Sequence, residues 1–297
     1  GEGCASPNQS VTVVSPTSRP MSSNSFGEKF TVSTIPGSAI DTRTIGCFVN
    51  FGADWLGPGR ILFGNRAAVV VGEITGGARP RTIEMHRLLQ LFEPDAVLTD
   101  NIWGFLWGKL GYGAMLFATA LTNDSMAENF ADPARFAVFD GLGREVMAVA
   151  RARNVTPVGF NGFDPGAFMP EAPASASRAS IAALAEFNRH TAKTHTGIWR
   201  DLAVRKRRTE VDPQIGMIAE LGAQAGIDTP AIRTLVGLIH DVEEGRRPGP
   251  VGVVVGVPPR LEGGVAGGHH DLGPGELRAQ EVAERGAGEA DPGAQRP

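Results

Sequence analysis

The chain has 297 residues, 42% of them hydrophobic, enough for one large or two ordinary domains with a sizeable core. Its formal net charge of -4 and pI near 5.9 supply no overall basic field, which excludes nucleic acid and anionic membrane surfaces as expected partners. Two cysteines, Cys4 and Cys47, make no disulfide framework, and the expected compartment is a reducing cytoplasm.

Residues 1–42 hold nine serines and four prolines with little apolar periodicity, which predicts a low-order extension. It holds no basic segment followed by an apolar one, so no signal peptide is expected. From Thr44 the character changes. "TIGCFVNFGADW" and "RILFGNRAAVVVGEI" are β-branched and aromatic runs separated by "LGPG", and they predict a β-hairpin or meander. Behind Pro80, "PRTIEMHRLLQLFE" sets Ile83, Leu88, Leu91 and Phe92 at helical spacing, and "DAVLT" reads as a last short strand.

Beyond Asp100 strand signals nearly vanish, and the second half is expected to be all α. Helices are predicted over the "NIWGFLWGKLGYGAMLFATALTNDS" stretch, from about 133 to 153 and from about 177 to 194. "TEVDPQIGMIAELGAQAG" ends on Gly226 as a C′ glycine. "DTPAIRTLVGLIHDVEEG" opens with Thr229 as N-cap and Pro230 at the first helical position, and closes on Gly245. The face of Ile232, Leu235, Val236, Ile239 and Val242 calls for a bundle to bury it. Residues 249–297, rich in Gly, Pro, Ala and Glu and lacking aromatic residues, are expected to be a disordered tail with a short helix at "PGELRAQEVAER".

The 101–125 stretch carries a single lysine, Lys109, with no other charge between Asp100 and Asp124. As a membrane span it would set an ammonium near the centre at a cost of roughly 2.5–3.5 kcal/mol, so a buried helix of a globular domain is expected instead. Amid Trp103, Phe105, Trp107 and Tyr112, the lysine has two readings. Desolvation would lower its pKa and make it a proton donor near neutrality, or its stem would lie along apolar surface with the head in water.

Glu210, in "RKRRTEVDPQIG", is either an inward carboxylate facing an ammonium from another helix or a helix N-terminal anion. Thr196, in "KTHTGIWRD", offers a hydroxyl and neighbouring amides to a carboxylate, and His195 beside it reads as a surface or capping histidine. His269 and His270, lacking further ligands, make no metal site, and no metal spacing occurs elsewhere.

The order of "WGKL", "GREVMAVARARNV", "RRTEVDPQIG" and "AGIDTPAIRTLVGLI" resembles the C-terminal helical domain of ketopantoate reductase (2-dehydropantoate 2-reductase). "IGCFVNFGADWLGPGRILFGN" looks like the late strands of that family's nucleotide-binding domain. The resemblance spans about residues 43–247. It implies an α+β organisation in which an incomplete Rossmann-like part, 43–99, precedes an all-α helical bundle, 100–248, of the 6-phosphogluconate dehydrogenase C-terminal type serving substrate binding and dimerisation. It also implies an NADPH cofactor, a small keto acid substrate and a possible homodimer.

By the family's motif positions Lys109 is the general acid on the ketone and Glu210 helps hold substrate and lysine. Thr196 is the nearest hydroxyl to the family's substrate contact, and Gly197 its strict equivalent. The family's asparagine one turn after the lysine is Gly113 here, which leaves Asn123 or Asn129 to supply that hydrogen bond. The strand, G-x-G-x-x-G and helix that a dinucleotide needs are not found: "GEGCAS" has neither the strand nor the helix, and "GLGR" at Gly141 falls within a predicted helix. Two alternatives stand beside the reductase: a catalytically silent helical dimerisation module, and a related hydroxyacid or imine reductase.

Overall fold

The computed structural model describes residues 44–65 and 68–250. The expected extension over 1–42, the tail helix and most of the tail lie outside the described residues.

The first strand signals produce β1 (Ile45–Val49), β2 (Gly52–Gly57), β3 (Arg60–Asn65) and β4 (Val69–Glu73). β2 and β3 form an antiparallel hairpin closed by Pro58 and Gly59, whose φ of +68° suits a residue without Cβ. β1 pairs antiparallel with β4, Cys47 opposite Val71. The helix α1 (Pro80–Leu89) then crosses to β5 (Val97–Thr99), which joins β4 in parallel and completes the order β1-β4-β5. A parallel pair with a helical crossover is the βαβ unit of Rossmann-like sheets.

α1 lies where its period puts it, but the apolar residues that reveal it face outward: Ile83, Leu91 and Phe92 are 51%, 78% and 63% exposed. What the helix buries is polar. Thr82 donates to Glu73 at the end of β4, and Arg81 binds both oxygens of that carboxylate, Nε to Oε1 at 2.8 Å and Nη2 to Oε2 at 2.5 Å. These bonds hold the Glu73 carboxyl below the usual range, the Arg81 hydrogen bond leading.

The remainder is helical: α2 (Ile102–Thr119), α3 (Met126–Ala131), α4 (Phe136–Ala152), α5 (Ala174–Arg189), α6 (Gly197–Arg200), α7 (Met217–Gln224) and α8 (Pro230–Glu243). α2 starts on Asn101, whose side chain accepts from Gly104 N, and α3 on a Ser125/Glu128 capping box. The glycines of α2 serve close approach. A Cβ at Gly108 would stand 2.1 Å from the Val158 carbonyl oxygen, so the 156–160 segment lies directly on the helix, and Val158 N donates to Gly104 O.

The core is continuous from α2 through α4 to α8. Trp107, Met115 and Phe117 pack with Phe139, Leu142, Val146 and Met147, and with Ile232, Leu235 and Ile239. Two boundaries depart from expectation. α5 begins at Ala174, because Pro173 fixes an extended entry and Ala-Ser-Ala propagates the helix, and it stops at Arg189 instead of 194. Thr229 occupies the N-cap of α8, but its hydroxyl caps nothing. The amides of Ala231 and Ile232 donate to the two oxygens of Glu145 on α4, each at 2.8 Å, so the capping anion comes from a neighbouring helix.

Candidate functional site

α2 touches the sheet along one face, with Ile102 against Gly46 and Gly72. Two turns further on, Lys109 reaches from the same helix to β1. Its Nζ donates to the Val49 carbonyl and stands 5.2 Å from the centroid of the Phe48 ring. Phe48 packs at 5.0 Å on Phe160 and 5.6 Å on Phe105, and Phe160 at 5.8 Å on Tyr112. The amine therefore ends in an aromatic enclosure with one backbone acceptor. Desolvation brings its pKa from 10.5 to about 7, against a small opposing contribution from Cys47. Burial drives the Cys47 thiol up to about 11, against the lysine's charge, which lowers it. The apolar-enclosure reading of Lys109 matches this geometry. The side chain is half-buried overall, its head turned to a strand and not to bulk water.

Tyr112, one core residue of this enclosure, accepts from Asn188 Nδ2 at 3.3 Å, and burial pushes its phenol to about 12. One turn after Lys109, on the same helical face, a Cβ added at Gly113 would meet nothing within 4 Å.

Glu210 sits between two π-helical turns, Asp201–Arg205 and Asp212–Gly216, with the left-handed Lys206 (φ +50°) between them. Such widened turns recur at functional sites. Its Oε2 accepts from Gln214 Nε2 at 2.7 Å. The residue before it is pinned to α8: Thr209 N and Oγ1 both donate to Glu243 Oε1, at 2.6 and 2.7 Å. The bonds described for Lys109 and for Glu210 do not join the two residues. The ammonium is held by β1, and the carboxylate by its own turn.

The remaining candidates are engaged locally. Thr196 is buried as the N-cap of α6, its Oγ1 accepting from Trp199 N at 2.9 Å, and Gly197 is the first residue of that helix. The Asn123 carbonyl pairs with His195 Nε2 at 3.1 Å. Asn129 is buried and occupied, with Nδ2 bonded to Thr122, Asp124 and Ser125 and Oδ1 accepting from Arg135 Nη1 at 2.6 Å. His195 lies over Trp199 with ring centroids 4.3 Å apart and bonds the Thr194 hydroxyl.

Sequence reasoning did not find Gln214 or the Val49 carbonyl. The i,i+4 spacing of Gln214 from Glu210 was a usable signal. A backbone acceptor leaves none.

Among the described residues no strand is followed by G-x-G-x-x-G and a helix, so they do not by themselves fit a dinucleotide pyrophosphate. No helix among them is long and apolar enough to cross a membrane.

A short mixed sheet with one parallel βαβ unit, running directly into an all-α domain, defines a partial Rossmann-like unit joined to a helical domain. Residues 101–243 match the family described as ketopantoate reductase PanE/ApbA C terminal, so this part of the chain is similar to that family's C-terminal domain.

A structure from Ralstonia solanacearum MolK2 assigned as a ketopantoate reductase is 25% identical, with a TM-score of 0.52 over 70% of this chain and 57% of its own. D-mandelate dehydrogenase in complex with NADH is 19% identical, TM-score 0.56, over 69% of this chain and 64% of its own. A dimeric ketopantoate reductase from Staphylococcus aureus is 16% identical, TM-score 0.51, over 69% of this chain and 63% of its own. The chain thus spans 57–64% of the length of these relatives. No curated protein matches the sequence.

Proposed function

We propose that this chain acts in the NADPH-dependent reduction of an α-keto acid, of the ketopantoate-to-pantoate type, as a cytoplasmic and homodimeric protein. The observation that carries the reading is the Lys109 amine, enclosed beside Phe48 at the contact of α2 with β1 and brought to a pKa of about 7. An ammonium so placed exists in both protonation states at neutral pH and gives up its proton readily.

The part assigned to these residues is binding and proton supply. Lys109 donates to the substrate's carbonyl oxygen as that oxygen gains negative charge, through a second of its three N–H donors beside the one given to the Val49 carbonyl. Glu210 helps hold the substrate, and Thr196, Gly197 and Asn123 are the residues assigned to its carboxylate. Gly113 leaves the room in which the family's asparagine would stand. The described residues do not fit the dinucleotide, so their contribution ends at the substrate.

The test is NADPH oxidation by the purified chain with ketopantoate, compared with Lys109→Ala. Ketopantoate-dependent turnover lost in the variant supports the reading, whereas turnover unchanged by the variant refutes the role of Lys109. A panel of other 2-hydroxy and 2-oxo acids and imines separates the related reductases.

A second reading is a catalytically silent helical dimerisation module, favoured by the lack of a dinucleotide unit among the described residues. It expects a folded oligomer whose melting is indifferent to NADPH, and a strong thermal shift with NADPH opposes it.

A further inference from the structure

We infer that Gln214 is a positioning residue that fixes the Glu210 carboxylate in the orientation needed to hold an α-keto acid. The inference rests on the reading of Glu210 as a substrate-holding group. Gln214 is 6% exposed, and an amide buried to that degree is costly unless its donors are used. Its Nε2 is aimed at Glu210 Oε2 at 2.7 Å, a charge-assisted bond across the π turn, while Gln214 N donates to Glu210 O at 3.2 Å. The same residue is thus tied to Glu210 by side chain and by backbone. The Glu243 carboxylate pins Thr209 on the other side, so the main chain is held from α8 and the carboxylate rotamer from Gln214. An amide does not titrate, and the bond therefore keeps the carboxylate oriented through the neutral pH range in which Lys109 exchanges its proton.

The interaction differs from ordinary core packing in one respect: its value to ligand binding passes wholly through Glu210. That gives a test by calorimetric titration of ketopantoate, and separately of pantoate, into the full chain. The set is wild type, Gln214→Met, Gln214→Glu, Glu210→Ala and the double variant Glu210→Ala/Gln214→Met, with urea unfolding recorded for each.

Wild type binds, and Gln214→Met, which keeps volume and loses the donor, binds about tenfold more weakly. In the Glu210→Ala background the same change costs nothing further. Gln214→Glu sets two carboxyls together. It binds poorly at about pH 8 and recovers toward pH 5 as they come to share a proton, a pH profile that a packing role does not produce.

Gln214→Met binding as tightly as wild type overturns the inference. So does an equal loss in the presence and absence of Glu210, which would make Gln214 a packing residue. Wild type binding neither acid overturns the reading of Glu210 and this inference with it. A Gln214→Met chain that does not fold leaves the decision to the Gln214→Glu profile, in which pH-independent binding overturns the proposal.

Discussion

Replacing Lys109 by Met probes the amine through stability and needs no ligand. In the native chain the lysine titrates near 7, and in the unfolded chain near its ordinary 10.5. Between those values the unfolded state holds one more proton than the native state, so native stability rises with pH there, by about 1.4 kcal/mol per pH unit at full slope. The complete drop from 10.5 to about 7 corresponds to at most about 5 kcal/mol. This is a ceiling, since the side chain keeps part of its surface in water.

Cys47 limits the useful window. Its thiol is raised from 9.0 to about 11, and in that interval the native state keeps a proton the unfolded state has lost, so stability falls as pH rises. The measurement therefore runs from about pH 6 to about pH 8.5. Over that range the Lys109 contribution to wild-type stability rises by about 2 kcal/mol. Urea unfolding of wild type and Lys109→Met across this range checks it. The difference between the two curves isolates the lysine, because the histidines are common to both. It should move by about 2 kcal/mol in favour of wild type. A difference that stays flat with pH would show that the amine is solvated in the folded chain and that the enclosure by Phe48, Phe105 and Phe160 does not desolvate it.

Three further outcomes are expected. Gly108→Ala places a methyl 2.1 Å from the Val158 carbonyl oxygen and should destabilise by about 1–3 kcal/mol in urea unfolding, whereas the control Gly113→Ala, whose methyl meets nothing, should stabilise by about 0.5–1 kcal/mol because alanine favours the helix. Glu145→Ala removes the anion bound to the first amides of α8 and should cost about 1–2 kcal/mol at neutral pH. Loss of less than about 0.3 kcal/mol would mean that water serves those amides equally well. Cys47, buried and with its thiol pushed up to about 11, should react with a thiol reagent at pH 8 only after denaturant is added. Rapid modification of Cys47 itself in the native chain, located by peptide mapping to separate it from Cys4, would contradict the packing of β1 on α2.

The sequence was most informative where glycine and proline set limits. Pro58-Gly59 closes the β2–β3 hairpin, Pro230 opens α8, and Gly226 and Gly245 adopt the left-handed backbone expected of C′ residues, with φ of +70° and +73°. Lys109 was legible because charge is rare in an apolar helix. Its partner was not, because the Val49 carbonyl that holds it belongs to the main chain. α1 shows a different limit: helical spacing gave the element but not its orientation, since the apolar face of Ile83, Leu91 and Phe92 is turned outward while Thr82 and Arg81 serve Glu73. Thr229 fits every compositional rule for an N-cap and is passed over for Glu145, because a carboxylate from α4 reaches both amides at once. The π turns beside Glu210 have no pattern in hydrophobic spacing at all.

That contact between Glu145 and the start of α8 joins residues 86 and 87 positions apart. The donors at the head of α8 thus remain without their native acceptor until α4 has been assembled, and the loop they close is long. Forming it costs chain entropy before any packing of Ile232, Leu235 and Ile239 is gained. Docking of α8 should accordingly be a late kinetic event, and the helical domain should fold more slowly than its helix content alone would imply.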